Sequence, residues 1–227
     1  GNLLRAVSHD LRTPLTSIYG ACSAMRDNFD ALPRQTHMKL LSDVCADAQW
    51  LVRMVENLLS VTRVDAATVR LSKNGTVLEE LIDAVLVKFR KHHPDIDVHV
   101  EIPEEFVSIP MDAMLISQVL MNLLENAVFH AKGMENLRLR VEVKGSWAYF
   151  YVEDDGCGIP EEKLSRLFTG MLDSEAPTDQ SRSSMGIGLS VCSAIIKAHG
   201  GEIWANKRAG GGTEVGFRLE MEDENGE

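Results

Sequence analysis

The stretch that decides the fold spans residues 4–25 and reads LRAVSHDLRTPLTSIYGACSAM. Two sets of residues in it recur with a period of seven, namely Leu4, Leu11, Ile18 and Met25, and between them Val7, Pro14 and Ala21. Such a heptad pattern predicts an amphipathic helix whose apolar seam packs against another helix. The chain therefore opens with a helix that requires a partner.

A second helix is predicted after a break at residues 31–34. Its apolar residues follow alternating spacings of three and four, at Leu41, Val44, Ala48, Leu51, Val55 and Leu58. The second helix should fold back on the first, but two helices with one seam each bury little apolar surface. A second copy would complete a four-helix bundle. We therefore expect residues 1–66 to form a homodimer.

Residues 67–227 change to short mixed segments, which predict an α/β sandwich. The predicted helices are 76–90, 111–131 and 188–199, and the predicted strands are 97–102, 137–143, 148–153, 202–206 and 213–219. The expected fold class is α+β, with a helical hairpin in a dimeric four-helix bundle followed by an α/β sandwich domain.

Charge and composition exclude several classes of protein. The 227 residues carry 23 Lys and Arg against 34 Asp and Glu, a net charge of -11, so a nucleic acid partner is not expected. The four cysteines form no C-x-x-C pair, which indicates a reducing, cytosolic setting without a zinc site. No stretch has the ~18 apolar residues of a membrane span.

His9 is the first candidate for chemistry. It lies opposite the helix seam and should be exposed, and an exposed histidine is most often only solvated. Three neighbours favour a chemical role. Asp10 can fix one imidazole tautomer or take its proton, and Thr13 places a hydroxyl one turn away. Pro14 removes a helix hydrogen bond and invites a kink.

A second group of candidates lies in the sandwich. Asn122 and Asn126 share one helix face, where they are solvated, cap a loop, or offer amide oxygens to a Mg²⁺ ion that bridges phosphates. Asp154 ends a predicted strand, and glycine runs follow at 155–160 and at 184–189. Each run alone is an ordinary turn. Together they offer a carboxylate for an adenine amino group and a helix N-terminus suited to phosphate.

These motifs resemble those of two-component sensor histidine kinases. Residues 8–15 resemble the family's phosphoacceptor box, and residues 122–131, 154–160 and 186–189 resemble its three ATP boxes, in the family's order. The resemblance covers nearly the whole chain and implies a GHKL-type ATP-binding domain, shared with gyrase, MutL and a heat-shock chaperone. The strings at 122–128 and 185–190 are also similar to the potassium-responsive sensor kinase subfamily.

The resemblance implies a role for each matching residue. His9 would receive the γ-phosphoryl group of ATP, Asp10 would act as acid or base, and Thr13 would position water for dephosphorylating a response regulator. The residues that would bind Mg²⁺-ATP, with Asn126 as the metal ligand, are Asn122, Asn126, Asp154, Gly156, Gly158, Gly186, Gly188 and Leu189.

The resemblance also implies partners and moving parts. The phosphohistidine would pass its phosphoryl group to an aspartate of a response regulator receiver domain. A lid over the nucleotide is expected at 170–184, and a mobile link at 64–73. We expect a sensor region upstream of Gly1, so that the chain would be the cytoplasmic portion of a membrane-anchored protein.

Two departures from the family pattern leave alternatives open. Phe129 stands where the family has Lys or Arg, and Ser184 stands where it has glycine. These residues favour a phosphatase-only protein or pseudokinase scaffold with an impaired nucleotide site. Another alternative is an ATP-driven clamp, which would lack the phosphoacceptor box. A purely structural dimeriser would leave the asparagine and glycine boxes unexplained.

Overall fold

The computed structural model describes residues 2–65, 71–164, 167–168 and 185–221. The chain divides into two compact units, Gly1–Leu59 and Ser60–Glu227. The sequence placed this division after residue 66. The predicted lid at 170–184 lies outside the described residues, as does part of the predicted link at 64–73. Among the helices described, none is long and apolar enough to cross a membrane.

The first unit is the predicted helical hairpin. Helix α1 spans Asn2–Asp27 and continues through Pro14, and helix α2 spans Arg34–Asp65. Asn28 starts the turn between them, because its backbone carbonyl accepts hydrogen bonds from the N–H groups of Ala31 and Leu32, each at 3.0 Å.

Apolar side chains on α2 remain exposed within one chain. Met38, Leu41, Val52 and Val55 are 47–60% exposed. At 100° per residue these four positions share one face of α2, so the helix presents an apolar stripe. We call these four residues the α2 stripe.

Within its described residues, the second unit contains seven strands in two sheets. They are β1 (Asn74–Val77), β2 (Val98–Glu101), β3 (Ser108–Met111), β4 (Leu137–Lys144), β5 (Trp147–Asp154), β6 (Glu202–Lys207) and β7 (Thr213–Glu220). The main sheet has the order β2-β4-β5-β7-β6 and is mixed, since β2 is parallel to β4 and the other neighbours are antiparallel. β1 pairs with β3 in a separate antiparallel ribbon.

The part of this unit that the structure describes also contains four helices, namely α3 (Leu78–His92), α4 (Ala113–His130), α5 (Glu161–Leu164) and α6 (Met185–Ala198). Their apolar faces and one face of the main sheet form a single core, in which Phe89, Phe150 and Phe217 are fully buried. On β4 the buried residues alternate with half-buried ones, as expected for a strand with one covered face. The predicted fold class is therefore confirmed.

The starts of three helices differ from the prediction. The helix expected at 76–90 begins at Leu78, because the preceding residues form β1, and Met111 belongs to β3 rather than to α4. Helix α6 begins at Met185 rather than at Gly188, so Gly186 lies inside it rather than ahead of it. Glycine is a poor helix former, which led the sequence pattern to place this helix start too late.

Candidate functional site

The reactive turn predicted on the first unit is part of one uninterrupted helix. His9, Asp10 and Thr13 all lie in α1, and the side chains of His9 and Asp10 are outside the described part of the structure. Thr13 is exposed and Pro14 is buried. Proline lacks an N–H, so it cannot donate to the backbone carbonyl of Asp10.

Helix α4 carries the two predicted carboxamides. The Asp112 side chain caps the helix by accepting a hydrogen bond from the N–H of Leu115 at 3.2 Å. Asn126 Nδ2 is buried and has no hydrogen-bond partner among the described residues. A buried amide without a partner is costly, so this atom fits a site that a polar ligand completes. Asn122 instead hydrogen-bonds the buried thiol of Cys192 on α6.

Glu125 lies between these asparagines on α4 and is buried. Two imidazoles at the end of α3 approach its Oε1, with His92 Nδ1 at 3.7 Å and His93 Nε2 at 3.8 Å. Phe129 meets the His93 ring edge-on, with centroids 5.7 Å apart, and is 48% exposed. Glu125 therefore joins α3 to α4, and an aromatic ring occupies the position where the family has a cation.

The candidates to replace that cation are His130, Lys132 and Arg182. Burial lowers the pKa of His130, so its neutral form is favoured near pH 7. Lys132 is exposed in the loop after α4. Arg182, a third candidate, lies outside the described residues.

Asp154 is the last residue of β5 and connects two loops. Its Oδ1 accepts hydrogen bonds from the N–H of Gly156 at 2.9 Å and from the N–H of Thr213 at 3.3 Å. Its backbone carbonyl accepts a bond from Arg208 Nη1 at 2.7 Å. Burial raises the pKa of the Asp154 carboxyl, against the opposing effect of the Gly156 and Thr213 N–H groups and of Arg208.

The chain packs so closely around Asp154 that glycine is required. A Cβ atom at Gly156 would lie 2.6 Å from the Cβ of Ala131, and one at Gly158 would lie 3.2 Å from the carbonyl oxygen of Gly212. Gly212 has φ +88°, and a Cβ there would collide with the carbonyl oxygen of Asp154. Three segments from different parts of the sequence therefore meet backbone to backbone.

The last glycine run begins helix α6. Gly186, Gly188 and Leu189 lie in its first turns, and Gly188 and Leu189 are buried. Cys192 follows on the same helix, where burial raises the pKa of its thiol to about 12. The hydrogen bond that the Asn122 side chain donates to this thiol links the last predicted ATP box to the first.

The sequence pattern did not identify three residues that shape the site, namely Arg208, Gly212 and Thr213. Arg208 and Gly212 lie in the turn between β6 and β7, and Thr213 is the first residue of β7. The signal was present in the run of glycines at 210–212 followed by threonine. Nothing local in that run shows that it contacts Asp154, which lies 59 residues before Thr213.

Comparison with known families accounts for both units. Residues 1–67 match the family described as His Kinase A (phospho-acceptor) domain, and residues 111–223 match the family described as Histidine kinase-, DNA gyrase B-, and HSP90-like ATPase. The chain belongs to the sensor histidine kinases and contains their catalytic core.

Curated relatives agree with this assignment. The chain is 34% identical over 222 residues to the sensor protein KdpD of Clostridium acetobutylicum, which covers 97% of the chain and 25% of that protein. It is 32% identical over 216 residues to KdpD of Escherichia coli, which covers 92% of the chain and 23% of that protein. The chain thus spans about a quarter of the length of these relatives. The narrower resemblance to the potassium-related subfamily is confirmed by them.

Solved structures show the same architecture. The histidine kinase ThkA, in complex with the response regulator protein TrrA, matches with a TM-score of 0.75 and 25% identity over 99% of this chain and 63% of that chain. Full-length ShkA, in complex with AMPPNP, matches with a TM-score of 0.62 and 24% identity over 96% of this chain and 45% of that chain. The second likeness shows the fold alone.

Proposed function

We propose that this chain transfers the γ-phosphoryl group of ATP to His9 and then passes it to an aspartate of a response regulator. The observation that carries the proposal is the presence, in one chain, of a phospho-acceptor family domain followed by an ATPase family domain. The first domain supplies a nucleophile, and the second supplies a nucleotide site.

In the first step a nitrogen of the His9 imidazole forms a bond to the γ-phosphorus, while the bond from phosphorus to the bridging β,γ-oxygen breaks and ADP leaves. The other ring nitrogen gives its proton to the Asp10 carboxylate. Phosphoryl transfer needs mainly alignment and charge neutralisation from the protein. In the second step a receiver aspartate oxygen attacks phosphorus, the N–P bond breaks, and His9 regains a proton. In the dephosphorylating activity, Thr13 would orient a water that attacks the phosphorus of the phosphorylated receiver aspartate, so that the aspartyl O–P bond breaks and inorganic phosphate leaves.

The nucleotide is proposed to lie between α4, the loop after β5 and the start of α6. Asp154 would accept a hydrogen bond from the adenine amino group, since a buried carboxyl oxygen at a strand end suits such a donor. Gly156 and Gly158 would let the nucleotide approach the backbone. Gly186, Gly188 and Leu189 would line the phosphates at the first turns of α6, whose N-terminus favours anions.

Mg²⁺ is implied by the family, and the residues present fit it. The amide oxygen of Asn126 is a neutral, hard ligand, and the orphaned Nδ2 of the same amide shows that this side chain is not satisfied within the described chain. No group of three or more His, Cys, Asp or Glu within the described ranges could hold a metal ion. Mg²⁺ commonly takes one or two protein ligands together with substrate phosphates. When bound, it would neutralise phosphate charge.

The partners are part of the proposal. The receiver domain would dock on the hairpin that carries His9, and the similar histidine kinase ThkA has been solved in complex with the response regulator protein TrrA. A second copy would cover the α2 stripe. A sensor region and a membrane anchor elsewhere in the whole protein are also proposed, since the chain spans about a quarter of its KdpD relatives. The impaired-scaffold alternative is not favoured, because both catalytic families match.

The test is incubation of the chain with Mg²⁺ and γ-labelled ATP. We expect label that is stable in base and labile in acid, as phosphohistidine is, and its complete loss in His9→Gln. The variant should retain its elution volume on size exclusion, because His9 lies off the helix seam. Label that survives in His9→Gln would overturn the assignment of His9.

A further inference from the structure

Asp155 has a set of contacts that no proposed role explains. Its Oδ1 accepts hydrogen bonds from the backbone N–H groups of Glu135 at 2.8 Å and Asn136 at 2.9 Å, and its Oδ2 accepts one from Asn136 Nδ2 at 2.6 Å. The Asn136 and Glu135 donors lower the pKa of Asp155 to about 2. The carboxylate is therefore ionised at every pH where the protein would work, and it contributes no proton chemistry.

The loop that Asp155 fixes begins where α4 ends. Residues 131–136 connect α4, which carries Asn126, to β4. A second contact joins the same two loops, since the N–H of Cys157 donates to the carbonyl of Lys132 at 3.0 Å. The close approach of Gly156 to Ala131 is a third. The loop after α4 is thus held against the loop that contains Gly156 and Gly158.

The adjacent residues Asp154 and Asp155 hold different parts of the chain. Asp154 fastens the turn between β6 and β7 through Thr213 and Arg208, whereas Asp155 fastens the loop after α4. Residues 154–155 therefore hold both the turn between β6 and β7 and the loop after α4. Among the described residues, the Asp155 carboxylate accepts hydrogen bonds from the backbone of Glu135 and from the backbone and side chain of Asn136.

We propose that Asp155 is a positioning residue for the nucleotide site, which holds the C-terminal end of α4, and with it Asn126, in register with Asp154. The inference rests on the proposed function, because that function places the nucleotide between these two residues. The middle of α4 is anchored by core residues such as Leu120 and Leu124. Loss of Asp155 should therefore loosen the last turn of α4 and the loop after it, and leave the fold intact.

A positioning role and a merely structural role predict different kinetics. If Asp155 only stabilised the fold, its loss would reduce the folded fraction and lower kcat without changing the KM for ATP. If it positions the site, its loss should raise KM and the Kd for nucleotide, because the binding geometry is no longer prepared in advance, and kcat at saturation should persist.

The experiment measures Mg²⁺-ADP binding to the full chain by calorimetry, and autophosphorylation in parallel. For Asp155→Ala we expect a Kd about tenfold higher and a kcat within about twofold of the unmutated chain. Asp155→Asn keeps an oxygen for the two backbone N–H groups, so its Kd should stay within about threefold. Asp95→Ala, at an exposed carboxylate after α3, removes the same charge and should change neither value.

Three results would overturn the inference: an unchanged Kd in Asp155→Ala, an Asn variant as weak as the Ala variant, or an unmutated chain that does not bind ADP. If Asp155→Ala does not fold, Asn136→Ala serves instead, with a Kd about threefold higher expected and an unchanged Kd contradicting it. Nucleotide binding without phosphohistidine would defeat the proposed function only, since the Kd comparison does not depend on His9.

Discussion

Asn126 is a half-buried side chain with an unsatisfied buried atom. Because its Nδ2 has no partner among the described residues, the side chain should gain contacts when nucleotide and metal bind. We predict that Asn126→Ala raises the Kd for Mg²⁺-ATP at least about tenfold, equivalent to about 1.4 kcal/mol. Calorimetry checks this value, with Asn206→Ala on the exposed strand β6 as the control. An unchanged Kd would place the metal elsewhere.

Phe129 departs from the family pattern, and the effect of this departure on ATP binding can be measured directly. Its half-exposed ring lies beside His93 at a position where the family has a cation, and the low pKa of the buried His130 disfavours that residue as a replacement charge. We predict that Phe129→Lys lowers the Kd for ATP several-fold, and that the gain shrinks as salt is added. Phe129→Leu is the control for loss of the ring. Equal affinity of Phe129→Lys and the unmutated chain would show that another cation already serves the phosphates.

His199 is buried after α6 and satisfied in its neutral form. Its Nε2 accepts a hydrogen bond from the N–H of Asp112 at 3.1 Å, and its Nδ1 lies 2.8 Å from the carbonyl of Ile195. Burial lowers the pKa of His199, with a smaller lowering from Lys73 and opposing effects from Ile195 and Asp112.

Because folding lowers the pKa of His199, the contribution of this residue to the free energy of unfolding depends on pH. The unfolded chain binds a proton at the ordinary pKa of 6.5, and the folded chain binds it only at lower pH. The contribution of His199 to stability is therefore complete above that value and is lost as the pH falls below it. Urea midpoints measured from pH 5 to 8 should rise with pH, and the rise should be shallower in His199→Gln. His130 has the same sign, so part of the slope should remain. An equal slope in the variant would contradict this prediction.

At the scale of elements, long periodic segments could be predicted and short ones could not. Helices α1, α2 and α4 repeat their apolar pattern over several turns, which the sequence shows without any tertiary information. The four-residue strands β1 and β3 contain Gly75 and Pro110, which argue against strands locally, and only their pairing makes them a ribbon. The same limit applies to the site. Asp154 was predictable from its place at a strand end, but its contact with Thr213 depends on strand order.

The turn between β6 and β7 offers a matched pair of substitutions. Gly210 and Gly212 both have positive φ, at +97° and +88°, so alanine is strained at either position. A Cβ at Gly210 meets nothing within 4 Å, whereas one at Gly212 collides with the Asp154 backbone.

We predict that Gly210→Ala costs about 1 kcal/mol from strain alone, and that Gly212→Ala costs at least about 2 kcal/mol more because the turn must move away from Asp154. Gly212→Ala should also weaken nucleotide binding, which Gly210→Ala should not. Denaturant titration and calorimetry measure the two effects. Equal losses of stability would mean that the turn moves without cost.

At the scale of the whole molecule, the α2 stripe indicates a second copy. Two of its members, Leu41 and Val55, belong to the predicted heptad seam and remain 47% and 48% exposed within one chain. We predict that Leu41→Asp with Val55→Asp converts a dimer to a monomer in sedimentation, because two buried charges would face each other across the axis. Lys39→Glu changes the charge on the opposite side of the helix and should leave the dimer intact. A monomeric unmutated chain would refute the stripe as a dimer surface.

The crowded backbone around Asp154 has a consequence for inhibition. At Gly156 and Gly212 any larger side chain would clash with the neighbouring chain, so single substitutions there should damage the protein before they alter its surface. A compound that rests against these two positions would touch main chain rather than replaceable side chains. Resistance by point mutation should consequently be rarer for such a compound than for one that relies on contacts with the half-exposed Phe129 side chain.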